Sequence, residues 1–177
     1  MQKKKILFIT PPYHAGVVEV AGKWVPLYLV YLAGAARQAG YHVSIYDAMT
    51  KNVGYPEIEQ RIRSYKPDFV AASVFTCTAP DAIEVIEAAK KVDPAIKTIL
   101  GGVHATFMYD EMFSQTSALD FIVRGEGEQA IVELLDAVLR ESGFLGRVVL
   151  ETRERGLGEP RRGQRRASLQ PGRRRAR

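Results

Sequence analysis

One cysteine, Cys77, stands in a chain of 177 residues. It excludes an internal disulfide, and it excludes any zinc or iron–sulfur site built from cysteines of this chain. Histidine is nearly as scarce, with only His14, His42 and His104. No H-E-x-x-H helix, no G-x-S-x-G elbow and no cluster with metal-ligand spacing occurs, so hydrolytic and metal-centred catalysis find no support. No run of about 18 apolar residues is present, which argues against a membrane-spanning helix. Lys3-Lys4-Lys5 leads into only Ile6-Leu7-Phe8-Ile9. That run is too short for a secretory signal and lacks a small-residue cleavage site, so a cytoplasmic protein is expected. What remains is ordinary for a globular chain: 46% hydrophobic and 25% charged residues, enough to bury a core without covalent staples.

Charge is unevenly placed. Residues 151–177 hold ten Arg and three Glu, a net +7 that exceeds the +5 of the whole chain, so residues 1–150 carry −2. Nucleic-acid binding would therefore rest on this segment alone, and it is not the expected role. The segment shows no hydrophobic period and is interrupted by Gly and Pro, so a disordered arginine-rich tail is expected over residues 146–177. Its basic residues are all Arg, whereas residues 1–150 use Lys for nine of fifteen. Such an abrupt change is what GC-rich DNA yields out of frame, and a frame shift near residues 145–150 is the reading of the tail. A folded domain is expected over residues 1–145.

That domain alternates strand and helix. Lys5–Thr10, His42–Asp47, Phe69–Val74, Lys97–Leu100 and Asp120–Arg124 are short apolar runs bounded by Pro, Gly or Asp, as buried strands are. Helical spacing appears over Trp24–Gln38, with Leu27, Tyr31, Leu32 and Ala35 on one side. It appears again after Pro56, after Pro80, around Phe107–Ser114, and from Gly127 onwards. Five strands alternating with helices predict an α/β, flavodoxin-like, doubly wound parallel sheet in the order 2-1-3-4-5. Ligands of such sheets bind outside the carboxyl ends of the strands.

The loops at those ends are rich in small and hydroxyl residues, which let a ligand approach the backbone. Tyr13, His14, Ala15 and Gly16 follow strand one, and Ser73, Phe75 and Thr76 follow strand three. Gly101, Gly102, Val103 and His104 follow strand four, and Gly125, Glu126 and Gly127 follow strand five. Two phosphate motifs are approached but not met. Gly16 to Gly22-Lys23 has five residues between its glycines instead of four, and Trp24 stands where Ser or Thr would hold magnesium. Gly125 to Ala130 matches G-x-G-x-x-A, but Glu126 and Glu128 would repel a pyrophosphate there. Cys77 is read as a small buried thiol rather than a nucleophile paired with His104.

Thr-Pro-Pro-Tyr-His after strand one, Ala-Ser-Val-Phe-Thr after strand three, Leu-Gly-Gly-Val-His-Ala-Thr after strand four and Ile-Val-Arg-Gly-Glu-Gly-Glu after strand five together carry a resemblance. The chain resembles the cobalamin-binding domains that precede radical S-adenosylmethionine (SAM) domains, over about residues 4–142. Ala21-Gly22-Lys23-Trp24, Tyr46-Asp47-Ala48-Met49-Thr50 and Gly102 to Tyr109 are similar to the branch that closes a tetrapyrrole ring without oxygen in bacteriochlorophyll synthesis. The resemblance implies cobalamin as cofactor, its nucleotide tail entering beside Ser73, Thr76, Gly101 and Gly102. The corrin would lie against Tyr13, His14, Val103 and His104, with Gly125 and Gly127 admitting backbone amides to the corrin edge. Methionine-synthase-like relatives carry D-x-H-x-x-G after strand one, whose His binds cobalt. Here Pro12 occupies the Asp position and Gly16 comes one residue early, so His14 is not expected to bind cobalt.

The family also uses a [4Fe–4S] cluster and S-adenosylmethionine, held by a C-x-x-x-C-x-x-C motif that this chain lacks. The expected role is therefore a cobalamin-binding module that is not catalytic alone. The partner it implies is a radical SAM domain, missing here or supplied by a separate chain. A flavin or another nucleotide-like ligand on the same fold is the alternative.

Overall fold

The computed structural model describes residues 4–13, 25–140, 148–151 and 170–171. The apolar runs become parallel strands. β1 (Lys5–Thr10), β2 (His42–Asp47), β3 (Phe69–Ser73), β4 (Lys97–Gly101) and β5 (Phe121–Arg124) lie in the order β2-β1-β3-β4-β5, as the alternation predicts. Among the described residues two further strands extend the sheet. β6 (Val148–Glu151) pairs parallel with β5, and the two-residue β7 (Gln170–Pro171) pairs antiparallel with β6. Neither was among the five expected strands, and both lie beyond the domain end expected at residue 145. The reason for β6 is visible in its packing: Val148 and Leu150 are buried against the sheet's core, which an arginine-rich context conceals in the sequence. Residues 152–169 and 172–177, on which most of the tail expectation falls, lie outside the described residues.

Helices cover both faces. α1 (Leu27–Gln38) and α7 (Gly127–Arg140) pack on one, against Phe8, Ala71, Ile99, Phe121 and Val123. The other carries α3 (Tyr55–Tyr65) and α4 (Ala79–Val92), then α5 (Val103–Phe107) and α6 (Tyr109–Gln115), against Leu7, Ile9, Val70, Leu100 and Ile122. A short α2 (Ala48–Lys51) follows β2, capped by the Asp47 carboxylate, which accepts from the Thr50 N–H at 3.1 Å. The single helix expected around Phe107–Ser114 is two, broken at Met108. The face of α1 also differs from expectation. Leu29, Ala33 and Ala36 are buried, whereas Leu27 and Tyr31 are 60% and 64% exposed. Residues 25–36 are apolar almost all round, so period alone does not select the inward stripe.

Two carboxylates fasten the amino edge of the sheet. Asp68 accepts the Lys5 N–H at 2.8 Å and pairs with Lys4 Nζ at 2.7 Å. Asp120 accepts the Thr98 N–H at 2.9 Å and pairs with Lys90 Nζ at 2.7 Å. Two tyrosines tie elements to helices across the fold. The Tyr41 hydroxyl donates to Asp136 of α7 at 2.7 Å, and the Tyr55 hydroxyl of α3 donates to Asp81 of α4 at 2.8 Å. Burial first, then the carboxylate partner, pushes both phenols above the ordinary tyrosine value. A raised folded value means that their contribution is complete below the unfolded value near 10 and is lost as pH rises above it. Stability should therefore fall in alkali above about pH 10. The Tyr41→Phe/Tyr55→Phe variant should show a shallower fall in urea unfolding between neutral and alkaline pH. An unchanged slope would remove these two phenols as its source.

Candidate functional site

Side chains alternate along a strand, so register decides what lines each face. Phe8, Ala71 and Ile99 stand in one row across β1, β3 and β4. Ser73 and Gly101 form the next row towards the carboxyl edge, and the same alternation turns them towards α1 and α7. The middle of this face is thus built from Ala, Ser and Gly, between Phe8 on one side and Val123 on the other. Small residues there leave the helices unable to close on the sheet. The result is a cavity of about 180 Å³, floored by Phe8, Ala71, Ile99 and Val123 and roofed by Tyr28 and Leu32 of α1 and Ile131 of α7. Its lip is polar: Ser73, Gly101, Gly102, Gly125, Glu126, Gly127 and Glu128.

Gly102 sets the shape of the lip. Its φ is +93°, and a Cβ there would lie 2.6 Å from Ser73 Oγ and 2.9 Å from the Val74 nitrogen. The backbones approach this closely because they are joined. The Val74 N–H donates to the Gly101 carbonyl at 2.8 Å, and the His104 N–H donates to the Val74 carbonyl at 3.1 Å. Thr106 then links the loop after β4 to the loop after β5. Its hydroxyl donates to the Gly102 carbonyl at 2.8 Å and accepts from the Gly125 N–H at 3.1 Å. Its carbonyl accepts from Arg124 Nε at 2.9 Å, while the Arg124 guanidinium lies 4.4 Å from the centre of the Tyr109 ring. The Leu-Gly-Gly-Val-His-Ala-Thr and Arg-Gly-Glu-Gly-Glu stretches are therefore one hydrogen-bonded unit. Thr106→Val should cost about 1–2 kcal/mol in urea unfolding. It should also speed hydrogen exchange at the Gly125 amide; an unaltered amide would show that the link does not hold the two loops.

The candidate residues divide into four groups. Ser73, Gly101, Gly102, Gly125, Glu126 and Gly127 line the cavity. Phe75, Thr76, Val103 and His104 stand on the rim outside it. Phe75 is 44% and Val103 58% exposed, and His104 Nδ1 lies 3.3 Å from Thr76 Oγ1. Tyr13 is half-buried at the end of β1's loop, its N–H donating to the Pro11 carbonyl at 2.8 Å. His14, Ala15 and Gly16, and the stretch to Gly22-Lys23, lie outside the described residues.

Cys77 corrects an expectation. It is exposed, not buried. It sits in the 3₁₀ turn Thr76–Thr78, where the chain has left the sheet and strand alternation no longer applies.

Sequence reasoning missed the floor and roof. The Tyr28 ring stands edge-on to Phe75, with centres 5.8 Å apart at 84°. Burial, and then the nearby charge of Asp47, holds the Tyr28 phenol above its ordinary value. The available signal was Ala71-Ala72 in the centre of a strand, where β-branched residues are usual.

A doubly wound sheet whose carboxyl edge opens into a glycine-lipped slot has the form of a ligand-binding α/β domain. The family follows from comparison. Residues 13–135 match the B12 binding domain model, and the chain belongs to that family. It is similar to the anaerobic magnesium-protoporphyrin IX monomethyl ester cyclase of Rubrivivax gelatinosus, 42% identical over 135 residues, which are 76% of this chain and 24% of that protein. It is also similar to an uncharacterized methyltransferase of Pyrococcus horikoshii, 31% identical over 88% of this chain and 34% of that one. Among solved structures, the radical S-adenosylmethionine methyltransferase TsrM of Kitasatospora setae, with cobalamin and a [4Fe–4S] cluster bound, shares the fold. Its TM-score is 0.65 at 17% identity, covering 78% of this chain and 25% of that one. The chain thus spans about a quarter to a third of the length of these relatives. Among the described residues no helix is long and apolar enough to cross a membrane.

Proposed function

We propose that this domain binds cobalamin with the nucleotide tail in the slot between the sheet and helices α1 and α7. The carrying observation is the trough of Ala71, Ser73 and Gly101 under those helices, opening at a lip where Gly102 admits no side chain. These residues fit the group. The apolar floor and roof suit a flat aromatic base, and about 180 Å³ exceeds the ~150 Å³ of an engineered apolar cavity that admits benzene. Ser73, Thr76 and the backbone of Gly101 and Gly102 would line the path of the ribose and phosphate. Tyr13, Val103, His104 and the exposed edge of Phe75 would lie under the corrin, with the Gly125-Glu126-Gly127 turn beside its amide arms. When bound, the corrin brings a redox-active cobalt to the rim. Pro12, standing where an orienting Asp would be, supports the reading that His14 would not serve as a cobalt ligand.

The module serves a larger radical SAM assembly. The C-x-x-x-C-x-x-C cluster site, S-adenosylmethionine and the substrate belong to a second domain or a separate chain. By its likeness to the cyclase, that assembly acts on a tetrapyrrole in bacteriochlorophyll synthesis, in the cytoplasm. The arginine-rich stretch after β6 is read as out of frame and takes no part in binding.

Anaerobic titration of the full chain with hydroxocobalamin, followed by desalting, tests the reading. About one equivalent of retained corrin is expected. In the reduced cobalt(II) form, electron paramagnetic resonance should show no nitrogen splitting from an axial ligand. Retention of flavin instead of corrin would replace the reading, and a cobalt–imidazole signal would overturn the assignment of His14.

A further inference from the structure

Polarity in the slot is graded along its depth. The polar side chains lining it stand at or beside the lip: Ser73, Glu126, Glu128, and Tyr28, whose ring meets Phe75 of the rim. The floor, one register step deeper than Ser73 and Gly101, is Phe8, Ala71 and Ile99, with Leu32 and Ile131 above it, and none of these side chains offers a hydrogen bond. The backbone groups of these central strand residues are engaged in the parallel ladder on both sides. Whatever reaches the floor therefore leaves its water behind and gains only packing. A methyl-bearing benzimidazole loses little on entry. A purine would bring an exocyclic amine and extra ring nitrogens into the same place with nothing to pair them, and unpaired buried polar groups are penalised.

We propose that this slot selects corrinoids by their lower base, accepting an apolar benzimidazole and discriminating against an adenine. The selection rests on the cobalamin reading above and names the ligand class within it. It assigns Ala71, Ile99 and Leu32 as specificity-determining contacts, although none of them touches cobalt or corrin. It also requires that the base be detached from cobalt, since a base still bound there cannot reach the floor.

Three probes separate the possibilities on the full chain under one set of conditions: cobalamin, the analogue with adenine as lower base, and cobinamide, which has no nucleotide. Cobalamin should bind about 10- to 100-fold more tightly than the adenine analogue, the range expected when one polar group is buried unpaired. Ala71→Ser, which places a hydroxyl on the floor, should narrow that ratio. Equal binding of cobalamin and the adenine analogue would overturn the selection. Cobinamide binding as tightly as cobalamin would overturn it too, by showing that the slot goes unused, while leaving corrin binding intact. Failure of all three to bind would remove the cobalamin reading and the selection with it.

Discussion

Gly102→Ala should lose about 3 kcal/mol of stability, which is roughly 10 °C in unfolding temperature for a domain of this size. Two effects add at this position. A φ of +93° with extended ψ is open only to glycine without strain. The new Cβ would also lie 2.9 Å from the Val74 nitrogen and 3.0 Å from its carbonyl oxygen, atoms that cannot swing aside. Relief requires the loops after β3 and β4 to part, which breaks the Val74–Gly101 and His104–Val74 hydrogen bonds. Those loops form the lip, so corrin retention after desalting should be lost with the stability. Gly34 is the control: a Cβ there meets nothing within 4 Å. Gly34→Ala should leave both unfolding temperature and retention intact or slightly improved. If Gly102→Ala behaves like Gly34→Ala, the lip is not as tight as the geometry states.

Ala71→Leu should act in the opposite sense on stability and just as strongly on binding. The substitution adds three carbons to the floor of a cavity bordered by Phe8, Ile99 and Leu32. Filling an apolar cavity stabilises by about 1 kcal/mol when the shape is compatible. The same atoms occupy the space assigned to the nucleotide base. Cobalamin affinity should drop about 10- to 100-fold, the equivalent of an aromatic group no longer buried. Cobinamide affinity should not change, because the corrin surface lies outside. A folded Ala71→Leu protein that binds cobalamin as the parent does would place the base elsewhere.

The order of the first five strands was legible because each is an apolar run bordered by Pro, Gly or Asp, and right-handed crossovers leave little choice of order. The lip was legible too, since Ser73, Gly101, Gly102, Gly125 and Gly127 are unusual residues at the ends of strands. The floor was not. Ala71 and Ile99 become neighbours only through strand register, which no single-strand pattern reveals. The roof failed for another reason. Tyr28 and Leu32 sit in a helix that is apolar on nearly every side, so the sequence does not mark which residues turn inward. Cys77 was misjudged because a free cysteine is usually buried, whereas here the chain has already left the sheet in a 3₁₀ turn. β6 was hidden by the arginine-rich residues that follow it.

The carboxylates that fasten the amino edge of the sheet bear on time rather than on affinity. Asp68 and Asp120 secure one end of the layered structure, while the slot opens at the other. Its roof consists of two helices that touch each other as well as the sheet. No residue of those two fastenings belongs to α1 or α7, so the roof could widen while the amino edge stays closed. If the roof must widen for a seated ligand to leave, release should be no faster than hydrogen exchange at the α1–α7 contact.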